Sequence, residues 1–242
     1  MAADRDQFFA RSRGVRGAAP WRWGEHGAMD RLTGQQIADE HLDGWVYLPG
    51  GLHTRILTGS FAAGVALVDR IGRAAEVHDH HPDVDLRYGF VDVRLTSHDA
   101  DGVTERDVRL ARDVTALAQE AGHELRGTDR SVVELGLDSP DRTQVQDFYR
   151  GILAFVAGPA DGDVRDPAQA LPSVWFQESG SEEPRQRWHL DVWVDPSQVA
   201  PRIDAALAAG GTVVDDSHAP SFWVLADAQG NRSCLCTWQP SA

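Results

Sequence analysis

The chain contains no lysine, because all 23 of its basic residues are arginines. Without a lysine amine, Schiff-base catalysis, a pyridoxal-phosphate anchor and the P-loop lysine are excluded. Long apolar runs are also missing. The longest, residues 61–68, falls well short of the roughly 18 residues that span a bilayer. We therefore expect neither amine-based catalysis nor a membrane-spanning helix.

Positive charge and cysteine are scarce as well. Acidic residues outnumber basic ones 37 to 23, for a net charge of −14. Such a surface repels phosphate backbones, so we expect no nucleic-acid partner. Cys234 and Cys236 stand two residues apart, and a disulfide between such near neighbours in a strand would be strained. Free thiols and a reducing cytoplasm are therefore expected.

The 242 residues leave room for two modest domains. Residues 1–28 scatter arginines among glycine, alanine and proline without the apolar segment of a secretion signal, and we interpret them as a mobile tail. A polar stretch at 124–130 is typical of a linker. We therefore predict a first domain at 29–123 and a second at 131–242.

The pattern of the first domain predicts an α+β fold, a four-stranded antiparallel sheet with helices on one face. Helices are predicted at 33–42, at 60–77 and from the capping box at 104–107. Strand-like runs at 45–48 and 52–57 flank a Pro-Gly-Gly turn. Residues 78–85 are predicted as a loop and 86–98 as a strand region.

The second domain repeats one pattern. A strand, a helix and further strands occur twice, about 50 residues apart, which indicates an internal repeat. The predicted helices are 141–153 and 196–209, and the predicted strands are 132–137, 174–177, 188–194, 212–214, 222–226 and 233–238.

Imidazoles and carboxylates cluster in the first domain. The run EVHDHHP occupies 76–82, and TSHD occupies 96–99. Histidine titrates near neutrality, so several rings in one pocket can both donate and accept protons. His80 and His81 follow a predicted helix, and His98 ends a predicted strand. One imidazolium could protonate a leaving hydroxyl while a neutral imidazole removes a proton from a neighbouring nitrogen.

Three other interpretations compete with proton transfer. His78, His80 and His81 with Asp79 could bind a metal, although adjacent histidines rarely converge on one ion. The histidines could also be surface residues without a role. A catalytic triad through Ser97 lacks the strand-to-helix turn that such a nucleophile needs.

These motifs, together with Gly44-Trp45 and the helix start Thr104-Glu105-Arg106-Asp107, resemble the pterin-4a-carbinolamine dehydratases over roughly residues 29–122. The resemblance implies a hydro-lyase, 4a-hydroxytetrahydrobiopterin dehydratase. Such an enzyme converts 4a-hydroxytetrahydropterin to quinonoid dihydropterin and so recycles a pterin cofactor. The resemblance also implies a small-molecule pterin substrate, an enzyme that needs no cofactor of its own, and assembly into a homodimer or homotetramer.

The resemblance also implies roles for individual residues. Acid–base catalysis would fall to His80, His81 and His98. Other residues would line or support the pterin site, namely Asp79, Thr96, Ser97, Asp99, Glu76 and Asp107. Many members carry Trp shortly after His-His-Pro, whereas this chain has Asp83-Val84-Asp85. The missing ring predicts weaker stacking on a pterin.

The second domain resembles the vicinal-oxygen-chelate, or glyoxalase-like, domains. The resemblance rests on residues 147–153, 188–192 and 226–231 and implies paired βαβββ modules around a cupped cavity. Matching ligand positions are Glu134, His189 and Cys234, which could hold Zn²⁺ or Fe²⁺. A cysteine there is equally suited to be a small core residue.

Two alternatives to the dehydratase hypothesis remain at this point. One is a non-catalytic pterin-binding or regulatory protein, suggested by the missing Trp. The other is a metal-dependent lyase or dioxygenase whose chemistry lies in the second domain.

Overall fold

The computed structural model describes residues 31–158, 162–178, 188–226, 230 and 232–241. The predicted tail at 1–28 lies outside the described residues. Within them, no helix is both long enough and apolar enough to cross a bilayer. The two cysteines are not joined in a disulfide; Cys236 is buried and Cys234 is partly exposed.

The first domain is an antiparallel sheet covered on one face by helices, which confirms the predicted class. The strands lie side by side in the order β1-β2-β4-β3. Three helices pack with the sheet around one core: α1 supplies Ile37, α2 supplies Leu67 and Ile71, and α3 supplies Leu110 and Val114. The elements are α1 Gly34–Asp39, β1 Val46–Leu48, β2 Gly51–Leu57, α2 Phe61–His78, β3 Asp83–Arg87, β4 Phe90–Leu95 and α3 Glu105–Glu120.

A fifth, short strand joins this sheet from the stretch predicted as a linker. β5, Glu124–Leu125, pairs with Ile56 and Leu57 of β2. The backbone N–H of Arg126 then donates to the carbonyl of Arg55 at 2.7 Å. Glu124 and Leu125 thus belong to the first sheet, and the 3-10 turn Gly127–Asp129 follows them. The polar composition of residues 124–130 is that of an exposed edge rather than of a free connection.

The region after α2 differs from the prediction. Residues 83–85, expected in a loop, begin β3, and the strand expected over 86–98 is a hairpin that turns at Tyr88–Gly89 and ends at Leu95. The alternation of Asp83, Val84 and Asp85 with Leu86 is the period-two pattern of a strand exposed on both sides of its pleat. The charged side chains of Asp83 and Asp85 are the reason that this segment was predicted as a loop.

The second domain contains two βαβββ modules, as the family resemblance implied. The strands form one eight-stranded sheet in the order β11-β12-β13-β10-β6-β9-β8-β7, with the first strands of the two modules paired antiparallel at its centre. The elements are β6 Val132–Ser139, α4 Gln146–Leu153, β7 Val156–Ala157, β8 Val164–Arg165, β9 Val174–Glu178, β10 Trp188–Trp193, α5 Val199–Ala208, β11 Thr212–Asp215, β12 Phe222–Ala226 and β13 Arg232–Cys236.

Two details of this domain were not predicted. The two-residue strands β7 and β8 carry too little periodicity to be recognised. The helix predicted from residue 141 begins instead as a 3-10 turn over Arg142–Gln144, followed by α4. Asp141 caps that turn by accepting the backbone N–H of Thr143.

The two sheets meet through β1. Val46 and Leu48 are buried in one apolar cluster with Trp193, Phe222 and Cys236 of the second sheet. The face of the first sheet opposite its helices holds His53 and Asp92, both buried. The carboxylate of Asp92 accepts two hydrogen bonds from Arg55, each 2.8 Å long, and pairs with Arg130. The alternation of polar and apolar residues along these strands predicts that this face is exposed to solvent, but His53 and Asp92 on it are buried.

Candidate active site in the first domain

The end of α2 determines where the first two histidines lie. Asp79 follows the helix in the left-handed conformation, with φ of 47°. The next residue, His80, turns back and donates its backbone N–H to the carbonyl of Ala75 at 3.1 Å. This is a common way for a helix to end, although an aspartate replaces the usual glycine. The turn directs the chain and both imidazoles toward the end of β4.

The third histidine lies in a tight turn beyond β4. Ser97 and Gly102 exchange backbone hydrogen bonds of 2.9 and 3.3 Å, which closes a loop holding His98 and Asp99. β4 ends three residues earlier than predicted, so His98 is on this turn rather than at a strand end. The loop side chains are exposed.

The two loops enclose one cavity of about 390 Å³. All three predicted catalytic histidines line it, together with three of the predicted binding residues and two residues that the sequence did not single out. The complete lining is Asp79, His80, His81, Pro82, Asp83, Thr96, His98 and Asp99. Cavities of this size commonly hold small-molecule ligands.

His80 is the most firmly held of the three rings. Its side chain is buried, and its Nε2 lies 2.7 Å from Oδ1 of Asp107, which is fully buried. The second carboxylate oxygen accepts hydrogen bonds from the Ser97 hydroxyl at 2.7 Å and the Thr104 backbone N–H at 2.8 Å. Ser97 and Asp107, predicted at the site, thus stand behind the cavity and support it.

The charge on Asp107 determines which nitrogen of His80 carries a proton. Burial alone would raise the pKa of Asp107, but hydrogen bonds from His80, the Thr104 backbone and Ser97 outweigh it and lower the pKa. An ionised carboxylate only accepts hydrogen bonds, so Nε2 of His80 must donate. In the neutral ring the lone pair is then on Nδ1, which is the basic nitrogen.

The other two histidines are more open to solvent. Nε2 of His81 lies 3.1 Å from Oε1 of Glu76, and both side chains are more than half exposed. His98 is exposed. Beside it, Asp99 is paired with Arg106, whose hydrogen bond lowers the pKa of Asp99. Both exposed rings can exchange protons with water.

Sequence reasoning assigned no role at this site to Thr104, Asp83 or Pro82. Thr104 was predicted only as a helix cap, yet its hydroxyl lies 2.8 Å from that of Ser97. Asp83 lines the cavity and pairs with Arg94 at 2.7 Å. The capping box at 104–107 was the available signal, because it places the Asp107 carboxylate at the start of α3.

The metal-ligand positions predicted in the second domain do not all converge. His189 and Cys234 lie together, and Asp191 lies with them. Glu134 instead accepts hydrogen bonds from the Ser173 hydroxyl at 2.8 Å and the Trp193 indole N–H at 2.7 Å.

Comparison with known proteins matches the two domains to two families. Residues 30–117 match the family model for pterin 4 alpha carbinolamine dehydratase. A protein from Mycobacterium leprae, provisionally named pterin-4-alpha-carbinolamine dehydratase, is 41% identical over 91 residues, which cover 37% of this chain and 97% of the relative. Through its first domain, the chain belongs to the pterin-4-alpha-carbinolamine dehydratase family.

A second relative agrees with this assignment. A provisionally named dehydratase from Nocardia farcinica is 40% identical over 90 residues, covering 36% of this chain and 95% of the relative. A solved transcriptional coactivator/pterin dehydratase from Brucella melitensis is 32% identical, with a TM-score of 0.35, and covers 37% of this chain and 99% of its own. Residues 134–236 match the model for a glyoxalase-like domain. A dehydratase-family domain is therefore followed by a glyoxalase-like domain.

Proposed function

We propose that the first domain dehydrates 4a-hydroxytetrahydropterin to quinonoid dihydropterin, and so recycles a pterin cofactor, by acid–base catalysis through His80, His81 and His98. The observation that carries this proposal is the convergence of the three rings on one cavity, with His80 oriented by a buried carboxylate. Family membership supports the same substrate class.

The arrangement suits a dehydration that needs one proton given and one taken. His80 is the acceptor, because Asp107 holds the proton on Nε2 and leaves Nδ1 basic. It takes the proton from a ring nitrogen of the substrate. The exposed His81 and His98 can be reprotonated from water, so one of them protonates the leaving hydroxyl. The hydroxyl departs as water, and the new double bond forms in the pterin.

The polar lining suits the edge of a pterin ring. Asp79, Asp83 and Thr96 surround the histidines and offer oxygen acceptors to the amino and ring N–H groups of such a heterocycle. No aromatic side chain lines the cavity among the described residues, so binding depends on hydrogen bonds more than on stacking. The assembly into dimers or tetramers implied by the resemblance stays a prediction, as does the absence of a nucleic-acid partner.

Stopped-flow dehydration of synthetic carbinolamine tests the proposal. His80→Ala and His98→Ala in the full chain should each lower the rate constant about 10²- to 10⁴-fold, the usual contribution of a general acid or base. His78→Ala is a matched control. His78 is also paired with a carboxylate, Asp113 at 2.6 Å, but does not line the cavity.

The same variants separate catalysis from simple binding. Affinity for a stable dihydropterin, measured by its fluorescence, should change far less than the rate in His98→Ala. If the unmodified chain binds the pterin without accelerating dehydration, the non-catalytic binding role replaces our proposal. If His80→Ala and His98→Ala both keep full activity, the proton-transfer assignment is wrong.

A further inference from the structure

A second group of reactive side chains lies in the glyoxalase-like domain, away from the dehydratase site. A ring nitrogen of His189, a carboxylate oxygen of Asp191 and the sulfur of Cys234 all lie within 4.8 Å of one another. We propose that these three residues bind a divalent first-row transition-metal ion, and that Zn²⁺ fits them best. The ligands come from the second βαβββ module alone.

Strand register brings the three donors together. His189 and Asp191 are two residues apart on β10, so their side chains leave the same face of the sheet. β13 runs parallel to β10, with Cys234 directly opposite Asp191. The convergence is thus built into the backbone of two central, hydrogen-bonded strands, which makes the positions of the donors reproducible.

A glycine leaves space for the imidazole. His189 lies opposite Gly136 of β6, and a Cβ at that position would come within 2.4 and 2.5 Å of the His189 ring atoms Cε1 and Nε2. Trp175 contacts the ring edge-on, with centroids 5.1 Å apart and planes at 80°. Any larger residue at 136 would displace the ring from this place.

Two carboxylates flank the ring on opposite sides. Nε2 of His189 lies 3.7 Å from Oδ1 of Asp191, and Nδ1 lies 3.9 Å from Oδ1 of Asp138. A metal-bound histidine usually directs its other nitrogen toward a carboxylate, which orients the ring. Asp138 occupies that outer position, and Nε2 is left to bind the ion.

The chemistry of the donors matches zinc. Imidazole, carboxylate and thiolate are its usual ligands, and three protein ligands leave a position open for water or substrate. Asp191 is fully buried and Cys234 partly so. A divalent ion would complement the negative charge of the carboxylate and of a thiolate.

The proposed set differs from the one that the family resemblance implied. Glu134, the expected ligand from the first module, uses both carboxylate oxygens for hydrogen bonds to Ser173 and Trp193. Asp191, its partner across the β6–β10 pair, takes its place. This exchange moves the site entirely into the second module.

Cobalt binding tests the proposal with a signal independent of enzyme activity. The full chain is stripped with a chelator and titrated with Co²⁺, whose thiolate complexes absorb in the near ultraviolet. One Co²⁺ per chain should bind with this charge-transfer band, and Zn²⁺ should displace it. Cys234→Ala should abolish the band and weaken binding more than tenfold, and Asp191→Asn should weaken binding by at least about tenfold.

Matched variants decide which residues are ligands. Cys236→Ala, two residues further along the same strand, and Glu134→Gln should both keep the band. Melting temperatures of the metal-free variants establish whether each is folded. If Asp191→Asn does not fold, Cys234→Ala alone tests the proposed ligands. Absence of the band in the unmodified chain would overturn the proposal. So would its survival in Cys234→Ala, or its loss in Glu134→Gln or Cys236→Ala.

Discussion

His80 and His189 both lie beside carboxylates, but their rings are held in different ways. Nε2 of His80 makes a 2.7 Å hydrogen bond to Asp107, whose other oxygen is also hydrogen-bonded. The nitrogens of His189 lie 3.7 and 3.9 Å from Asp191 and Asp138. A fixed tautomer suits proton transfer, whereas three donor atoms within 4.8 Å of one another suit an ion. The same residue types therefore support two kinds of chemistry.

The largest expected effect follows from breaking the His80 arrangement. In Asp107→Asn the amide oxygen can still accept from the Thr104 N–H, but the NH₂ then faces Nε2 of His80, where it either opposes the N–H or shifts the proton to Nδ1. We expect dehydration to fall about 10²-fold or more and stability to fall by about 1–3 kcal/mol. Stopped-flow rates and denaturant unfolding measure the two effects.

The control for this change is Asp113→Asn. Asp113 makes the same kind of pair with His78, but on the exposed surface of α3. That variant should keep the unmodified rate and stability within about 0.5 kcal/mol. Equal losses in the two variants would contradict the special role of the buried pair.

A third histidine sharpens the comparison, because it is held without a carboxylate partner. Burial, together with smaller contributions from Arg130 and Arg94, which repel a proton, lowers the pKa of His53 to about 3. The unfolded chain takes up this proton below about pH 6.5, while the native chain does so only near pH 3. His53 therefore stabilises the fold above pH 6.5, and that stability is lost progressively as the pH falls toward 3.

Unfolding free energies between pH 7 and pH 4 test this prediction. Below pH 6.5 the unmodified chain should lose about 1.4 kcal/mol per pH unit more than His53→Gln does. Glutamine can still donate to the carbonyl of Pro49, which His53 contacts at 3.2 Å. Parallel curves for the two proteins would show that His53 is not excluded from protonation.

Gly136→Ala tests the proposed metal site around His189. The new methyl group would overlap the His189 ring and come within 2.9 Å of Trp175. We expect a loss of about 1–3 kcal/mol in stability from this overpacking, together with weaker Co²⁺ binding and an unchanged dehydration rate. An unchanged melting temperature and cobalt affinity would contradict the tight contact.

Gly72→Ala is the matched glycine change and has the smallest effect. Gly72 is exposed within α2, and nothing lies within 4 Å of a Cβ placed there. Alanine favours a helix over glycine by about 1 kcal/mol, so this variant should be more stable by roughly that amount. A lower melting temperature would show that α2 is constrained in a way that we have not identified.

The sequence predicted elements well where a period or a cap was strong. Apolar residues at helical spacing predicted α2, and the capping box at 104–107 predicted the start of α3. The repeat predicted two modules that each begin with a strand and a helix, and the family resemblance implied their βαβββ order. Prediction from sequence failed where charged residues hid the alternating pattern of a strand, as at Asp83–Arg87. It also failed where strands were two residues long.

The site residues also divide into those that the sequence identified and those that it did not. The histidine motifs identified the residues that line the cavity, because imidazoles near carboxylates are themselves a chemical signal. Asp191 was missed as a metal-ligand candidate, since its nearness to Cys234 arises from parallel pairing between β10 and β13. Likewise, the burial of His53 depends on the meeting of two sheets, which local sequence does not encode.

Chemical rescue of His98→Ala tests the central claim most directly. His98 is exposed at the cavity, so free imidazole can enter the space that its ring vacates, whereas the buried place of His80 is closed to it. We predict that His98→Ala dehydrates the carbinolamine slowly, and that added imidazole restores its rate in proportion to concentration but leaves His80→Ala slow. Dehydration by His98→Ala at the unmodified rate, without imidazole, would contradict the account.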